Sequence, residues 1–186
     1  MYKKLIAITN RTLCSGDYFE QIARIASVHP HAMILREKDL SEAEYEEYAR
    51  QVLSICEQYG VPLFIHTYDE VALRLACRRI HLSISALQKR KDVLKQFDEI
   101  SVSCHSEEDV AIALEAGATQ IILGTIFETE CKKGLKGRGL EFVAEVTKKC
   151  PVPIYAIGGI KETNIDSVVA AGAAGGCMMS GFMKMT

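Results

Sequence analysis

The sequence predicts an α/β fold, a single (β/α)8 TIM barrel, on three observations. Short apolar runs alternate with amphipathic stretches along the whole chain, eight times over. The triplet Ala-Gly-Ala joins a helical pattern to a strand pattern at Ala116-Gly117-Ala118 and again at Ala171-Gly172-Ala173. No linker or low-complexity stretch interrupts the 186 residues, so one domain is expected over 1–186. Strict alternation of strand and helix implies parallel strands, because a parallel pair needs a crossover connection that a helix supplies. Eight such units favour a closed barrel over an open doubly wound sheet.

The elements read off in order. KLIAIT (4–9) is the first strand, and Asp17 to Val28 the first helix. AMILRE (32–37) is the second strand. Ser41 and Glu44 have capping-box spacing, and Tyr45, Tyr48, Val52, Ile55 and Tyr59 follow at helical spacing until Gly60. PLFIH (62–66) is the third strand, Asp69 to Cys77 a helix, and RIHL (79–82) the fourth strand. A polar helix is expected near 86–96, then EISVSC (99–104) as the fifth strand and Ser106 to Ala116 as a helix. TQIILG (119–124) is the sixth strand, followed by a loop rich in Gly, Lys and Arg and a helix near 140–149. VPIYAI (152–157), a helix from Glu162 to Ala171, and AGGCMMS (174–180) complete the pattern. Only six residues follow Ser180, so the eighth helix is expected to be missing or shortened. Such a gap would expose apolar surface beside the first and last strands, and a homo-oligomer, a dimer first, is expected to cover it.

Composition narrows the function. The net charge is −2 with both signs interspersed, which gives no basic field for nucleic acid. No apolar run approaches a membrane span, and the N-terminus lacks the pattern of a signal peptide, so a cytoplasmic protein is expected. The seven cysteines are scattered, never in a C-x-x-C pair, and read as reduced thiols. No His, Cys, Asp or Glu grouping has metal-ligand spacing, and neither a metal nor a cofactor is expected.

Barrel chemistry sits in the loops that follow the strands. Gly158-Gly159 after the seventh strand and Met179-Ser180 after the eighth occupy the usual phosphate position, with a helix start near Lys161 adding its positive end. Alternation puts Ser101, Ser103 and His105 on the inner face of the fifth strand, and Ile100, Val102 and Cys104 on the outer face. That leaves an imidazole at the mouth, suited to proton transfer near neutral pH. It also separates Cys104 from His105. His66 ends its strand and can line the same mouth. His81, inside a strand, reads as structural, and His29 and His31 as solvated. Arg36 and Lys38 share a face at the end of the second strand, where two cations call for an anion that Glu37, on the other face, does not supply. The cations of the loop after the sixth strand, Lys132, Lys133, Lys136 and Arg138, fit either an anion-covering loop or a solvated one.

LREKDLS (35–41), SCHSEEDVAIALEAGA (103–118), GTIFETECKKGLKGRG (124–139), AIGGI (156–160) and MMSG (178–181) appear in an order and spacing that resemble the thiamine phosphate synthase superfamily. The stretch FETECKKGLKGRG resembles its TenI-like thiazole tautomerase branch most closely. The resemblance covers nearly the whole chain and implies a β/α barrel. It implies that the synthase's two metal-binding aspartates are replaced by Thr67 and Ala86, within His66-Thr67-Tyr68 and the run His81 to Ala86. Magnesium holds a diphosphate through carboxylate oxygen, so synthase activity is not expected. The implied reaction is aromatisation of a carboxythiazole phosphate tautomer, without metal. One proton leaves the ring carbon bearing the carboxylate and one is added to the exocyclic carbon. The resemblance assigns His105 as the catalytic residue. Gly159, Met179 and Ser180 match its phosphate-binding positions, and Thr129, Glu130 and Cys131 its thiazole loop. Lys132 matches a diphosphate-contacting lysine, while Arg36 and Lys38 are candidates for the substrate carboxylate. A phosphorylated thiazole is therefore the expected partner. A degenerate synthase and a non-catalytic thiazole-phosphate-binding regulator are the competing classes.

Overall fold

The computed structural model describes residues 2–90, 92–129 and 136–186. Eight parallel strands close into a barrel in sequence order: β1 (Leu5–Ile8), β2 (Ala32–Leu35), β3 (Leu63–His66), β4 (Arg79–Ser83), β5 (Glu99–Cys104), β6 (Gln120–Gly124), β7 (Ile154–Ile157) and β8 (Gly175–Met178). The last strand returns to the first, with Ile6 opposite Cys177. Four strands, β1, β2, β6 and β8, are buried from end to end, because one face meets the helices and the other the barrel interior. The inward apolar set is Ile6, Ile8, Ala32, Ile34, Phe64, Ile122, Tyr155 and Cys177. The outward set, with Leu5, Ala7, Met33, Leu35, Ile65, Ile100, Val102 and Cys104 among it, packs on the helices. Polarity in the interior is gathered between β3 and β5, where His66 pairs in register with His81, and His81 with Ser101.

The helices are α1 (Tyr18–Ser27), α2 (Glu42–Gln58), α3 (Asp69–Arg74), α4 (Ile84–Gln88), α5 (Glu107–Glu115), α6 (Gly139–Thr147), α7 (Ile165–Ala170) and α8 (Ser180–Met183). Local signals account for the sharp starts. Asp17 accepts from Glu20 N–H before α1, and Ser41 and Glu44 form the reciprocal box before α2.

Two helices differ from expectation. The polar helix expected near 86–96 is the short α4 followed by a separate turn at Leu94–Gln96. Leu87 and Leu94 are each buried in their own turn, and between them Arg90 is drawn off to Asp69 at 2.7 Å. The seventh helix starts at Ile165 rather than Glu162. Asn164 accepts from Lys161 N–H (2.8 Å) and donates to Gly159 C=O (2.9 Å), which holds 161–164 as a turn. The eighth helix is indeed short. Its Phe182 and Met183 are nevertheless buried, and the Gln21 amide donates to the carbonyls of Phe182 and Met185. The apolar strip expected beside β1 and β8 is thus covered there by the chain itself. Among the described residues no helix is long and apolar enough to cross a membrane.

Tyr45 ties the second and third strands together at the end that carries the site. It is fully buried, its hydroxyl donates to Leu35 C=O (2.6 Å), and it accepts from His66 N–H (3.0 Å). Tyr45→Phe removes both bonds at once and leaves two backbone groups unsatisfied. It should cost about 2–6 kcal/mol, from roughly 1–3 kcal/mol for each buried group left without a partner. Urea denaturation measures this directly, and an unchanged midpoint would mean that water replaces the hydroxyl.

Candidate active site at the C-terminal mouth

His105 follows the last residue of β5, where the ladder no longer holds the chain. Three bonds hold it instead. Its N–H donates to Asp109 Oδ2 (2.7 Å), its C=O accepts from Arg138 Nη1 (2.6 Å), and its ring Nδ1 lies 2.6 Å from Gly124 C=O. A carbonyl oxygen can only accept, so Nδ1 carries the proton. In the neutral ring Nε2 then has the lone pair, and the exposed imidazole presents a base whose tautomer is set by the end of β6.

The alternation read from the sequence places Ser101 and Ser103 inside, as expected. They lie on either side of His81, whose Nδ1 is 2.8 Å from Ser101 Oγ and whose Nε2 is 2.9 Å from Ser103 Oγ. His66 stacks on His81 at 5.6 Å between ring centroids, and its Nδ1 is 2.9 Å from Thr67 Oγ1. Burial pushes the His66 imidazole down to about 4, helped by the charges of Arg36 and Lys38. Burial likewise pushes His81 down to about 3, helped by His66 and Arg36. The charges of Arg36 and Lys38 therefore reach the His66 ring. Glu37 turns the other way and is 2% exposed. Its carboxylate accepts from Thr9 Oγ1 (2.7 Å), Tyr18 OH (3.0 Å) and Arg11 N–H (2.9 Å), which fixes the strand end between the two cations.

The glycine pair has a packing role of its own. Gly158 and Gly159 have φ of 99° and 64°. A Cβ on Gly159 would come within 2.7 Å of Glu128 C=O and of Phe127 Cβ. The loop after β6 lies directly on this turn, with Phe127 N–H donating to Gly158 C=O at 3.0 Å. The turn does not open a helix at Lys161, so the expected helix-end contribution to anion binding is withdrawn. Met179 and Ser180 border it from β8, and Ile157 and Met179 form an apolar floor packed on the inner core. Thr129 is half-buried on the adjoining loop, while Glu130, Cys131 and Lys132 lie outside the described residues.

Four groups were missed by sequence reasoning or given the wrong role. Gly124 contributes only its carbonyl, and Asp109 acts through a side chain that reaches back four residues, for which the Ser106-x-x-Asp109 spacing was the available signal. Arg138 was visible only as a loop cation. His31 is not merely solvated, because it stacks on Tyr155 at 5.0 Å with Nε2 2.7 Å from the phenol oxygen. A separate cavity of about 280 Å³ lies at the opposite end of the barrel. Of its charged lining residues, Arg78 pairs with Asp98 (3.8 Å) and Arg79 with Glu99 (2.6 Å).

With His105, Arg36, Lys38 and the Gly158-Gly159 turn all beyond the carboxyl ends of the strands, the candidate site lies where barrel enzymes carry theirs. A family model described as thiamine monophosphate synthase matches residues 5–182. The thiamine-phosphate synthase of Clostridium novyi is 31% identical over 185 residues, covering 97% of this chain and 91% of its own. That of Halalkalibacterium halodurans is 32% identical over 187 residues, covering 95% and 86%. The thiamine phosphate pyrophosphorylase of Pyrococcus furiosus has the same fold, with a TM-score of 0.83 at 24% identity over 97% of this chain and 87% of its own. The chain belongs to the thiamine monophosphate synthase family.

The neutral histidine pair makes stability depend on pH. Unfolding returns both rings to an ordinary pKa of 6.5, where they bind protons that the folded protein does not. Stability from this source is present above pH 6.5 and is lost as pH falls towards about 4. The urea midpoint should fall more steeply between pH 7 and pH 5 for the wild type than for His81→Asn. Equal slopes would show that the buried pair does not titrate on unfolding.

Proposed function

We propose that the chain is a metal-independent thiazole tautomerase that aromatises a carboxythiazole phosphate tautomer. The observation that carries this reading is the His105 Nδ1–H bond to Gly124 C=O, which makes Nε2 the base. Nε2 takes the proton from the ring carbon bearing the carboxylate. The imidazolium then returns a proton to the exocyclic carbon, so one group serves as base and acid and the proton count is unchanged. The carbonyl accepts a stronger hydrogen bond from the imidazolium than from the neutral ring, which stabilises the charged intermediate state. Gly158, Gly159, Met179 and Ser180 hold the phosphate. Ile157 and Met179 support the ring. Arg36 and Lys38 meet the carboxylate, with His66 beside them, and Thr129 belongs to the thiazole side; Glu130 and Cys131, which the family resemblance assigns to the same role, and Lys132 lie outside the described residues.

The residues present do not fit the magnesium of a synthase. Thr67 sits at the end of β3 with its hydroxyl turned to His66, Ala86 has no donor side chain, and Asp69 is paired with Arg90 at 2.7 Å. Among the described residues no three His, Cys, Asp or Glu side chains converge to hold a metal ion.

The test is the rate of aromatisation of the carboxythiazole phosphate tautomer. His105→Ala and His105→Gln should lower kcat by about 10²–10⁴-fold, the usual loss for a missing general acid–base group. His66→Ala should act mainly on KM. Near-normal turnover without His105 would refute the assigned base. Thiamine phosphate formed from its two precursors only with magnesium would instead establish the synthase reading, and tight product binding without turnover the regulatory one.

A further inference from the structure

We propose that Arg138 is a positioning residue that sets the orientation of the His105 imidazole; the inference rests on His105 being the base. Three hydrogen bonds form a closed circuit around the end of β6. His105 Nδ1–H reaches Gly124 C=O (2.6 Å), the next carbonyl, of Thr125, accepts from Arg138 N–H (3.0 Å), and Arg138 Nη1 returns to His105 C=O (2.6 Å). Ring, strand end and guanidinium are thereby referred to one another.

The arginine is itself held on two sides. Its guanidinium carbon lies 3.5 Å from the centroid of the Phe142 ring, and Phe142 is buried in the outer core. Gly137, just before it, packs so closely on the loop after β6 that a Cβ would fall 2.8 Å from Phe127 Cα. The backbone of Arg138 is therefore placed by the same strand end that receives the imidazole. Asp109 fixes only the N–H of His105. Without Arg138 the carbonyl of His105 loses its partner, and the peptide can turn about the Asp109 bond and carry Nδ1 away from Gly124. The role needs a planar cation that stacks by its face and donates by its edge, which an ammonium cannot do. Lysine keeps the charge and loses the geometry.

The experiment compares wild type, Arg138→Lys and Arg138→Ala in two ways. The first is the ¹⁵N spectrum of the His105 ring near neutral pH, assigned by its loss in His105→Gln. The wild type should show the Nδ1-protonated tautomer, and both variants a mixture of tautomers, with thermal melts showing all three folded. The second is turnover of the carboxythiazole phosphate tautomer. Both variants should lose about tenfold to a hundredfold in kcat, the scale of a small misplacement of a catalytic group, with KM within about twofold. Guanidinium ion at millimolar concentration should restore part of the loss in Arg138→Ala. A wild-type tautomer pattern in both variants, or full activity in Arg138→Lys, would overturn the proposal. If the ring spectrum changes as expected but the wild type does not turn over this substrate, the tautomerase reading fails and the positioning role stands.

Discussion

Strands of four to six residues, each buried on both faces, are the constraint on which everything else depends. With period-two alternation and so few residues, one slip in register would exchange the inner and outer sets of a whole strand. Closure of β8 onto β1 removes every edge and leaves no freedom to absorb such a slip. The same alternation that sends Ile100, Val102 and Cys104 to the helices brings Ser101 and Ser103 inward and delivers His105 to the mouth. The active site is an extension of the packing pattern.

The interior is not uniformly apolar, and its polarity is arranged to avoid net charge. His66 and His81 stay neutral, and the hydroxyls of Ser101, Ser103 and Thr67 satisfy three of their ring nitrogens. The carboxylate nearest the cations in sequence, Glu37, is aimed out of the mouth and saturated by Thr9, Tyr18 and Arg11. Arg36 and Lys38 thus stand on either side of a carboxylate that is committed to other partners.

What was legible in the sequence was local or periodic. The capping box at Ser41, the alternation along β5 and the paired glycines after β7 each depend on residues close in sequence, and each appears where it was read. Groups that depend on distant partners were not legible. His31 meets Tyr155 across 124 residues, and Arg138 meets His105 across 33. The short helices α4 and α7 were overestimated because side chains of Arg90 and Asn164 redirect the chain in ways that helical periodicity does not record. That Glu37 turns away from the face of Arg36 and Lys38 was legible from alternation, but the three partners that hold it were not.

The contact between the loop after β6 and the Gly158-Gly159 turn ties two stretches of the chain into one inheritable unit. Gly159 has room only for hydrogen because Phe127 and Glu128 occupy the space of a side chain. Neither stretch can be exchanged alone. A loop transplanted from a relative would have to carry a matching turn with it, and Phe127 is constrained by a residue about thirty positions away. A change in either stretch has to be matched by a change in the other.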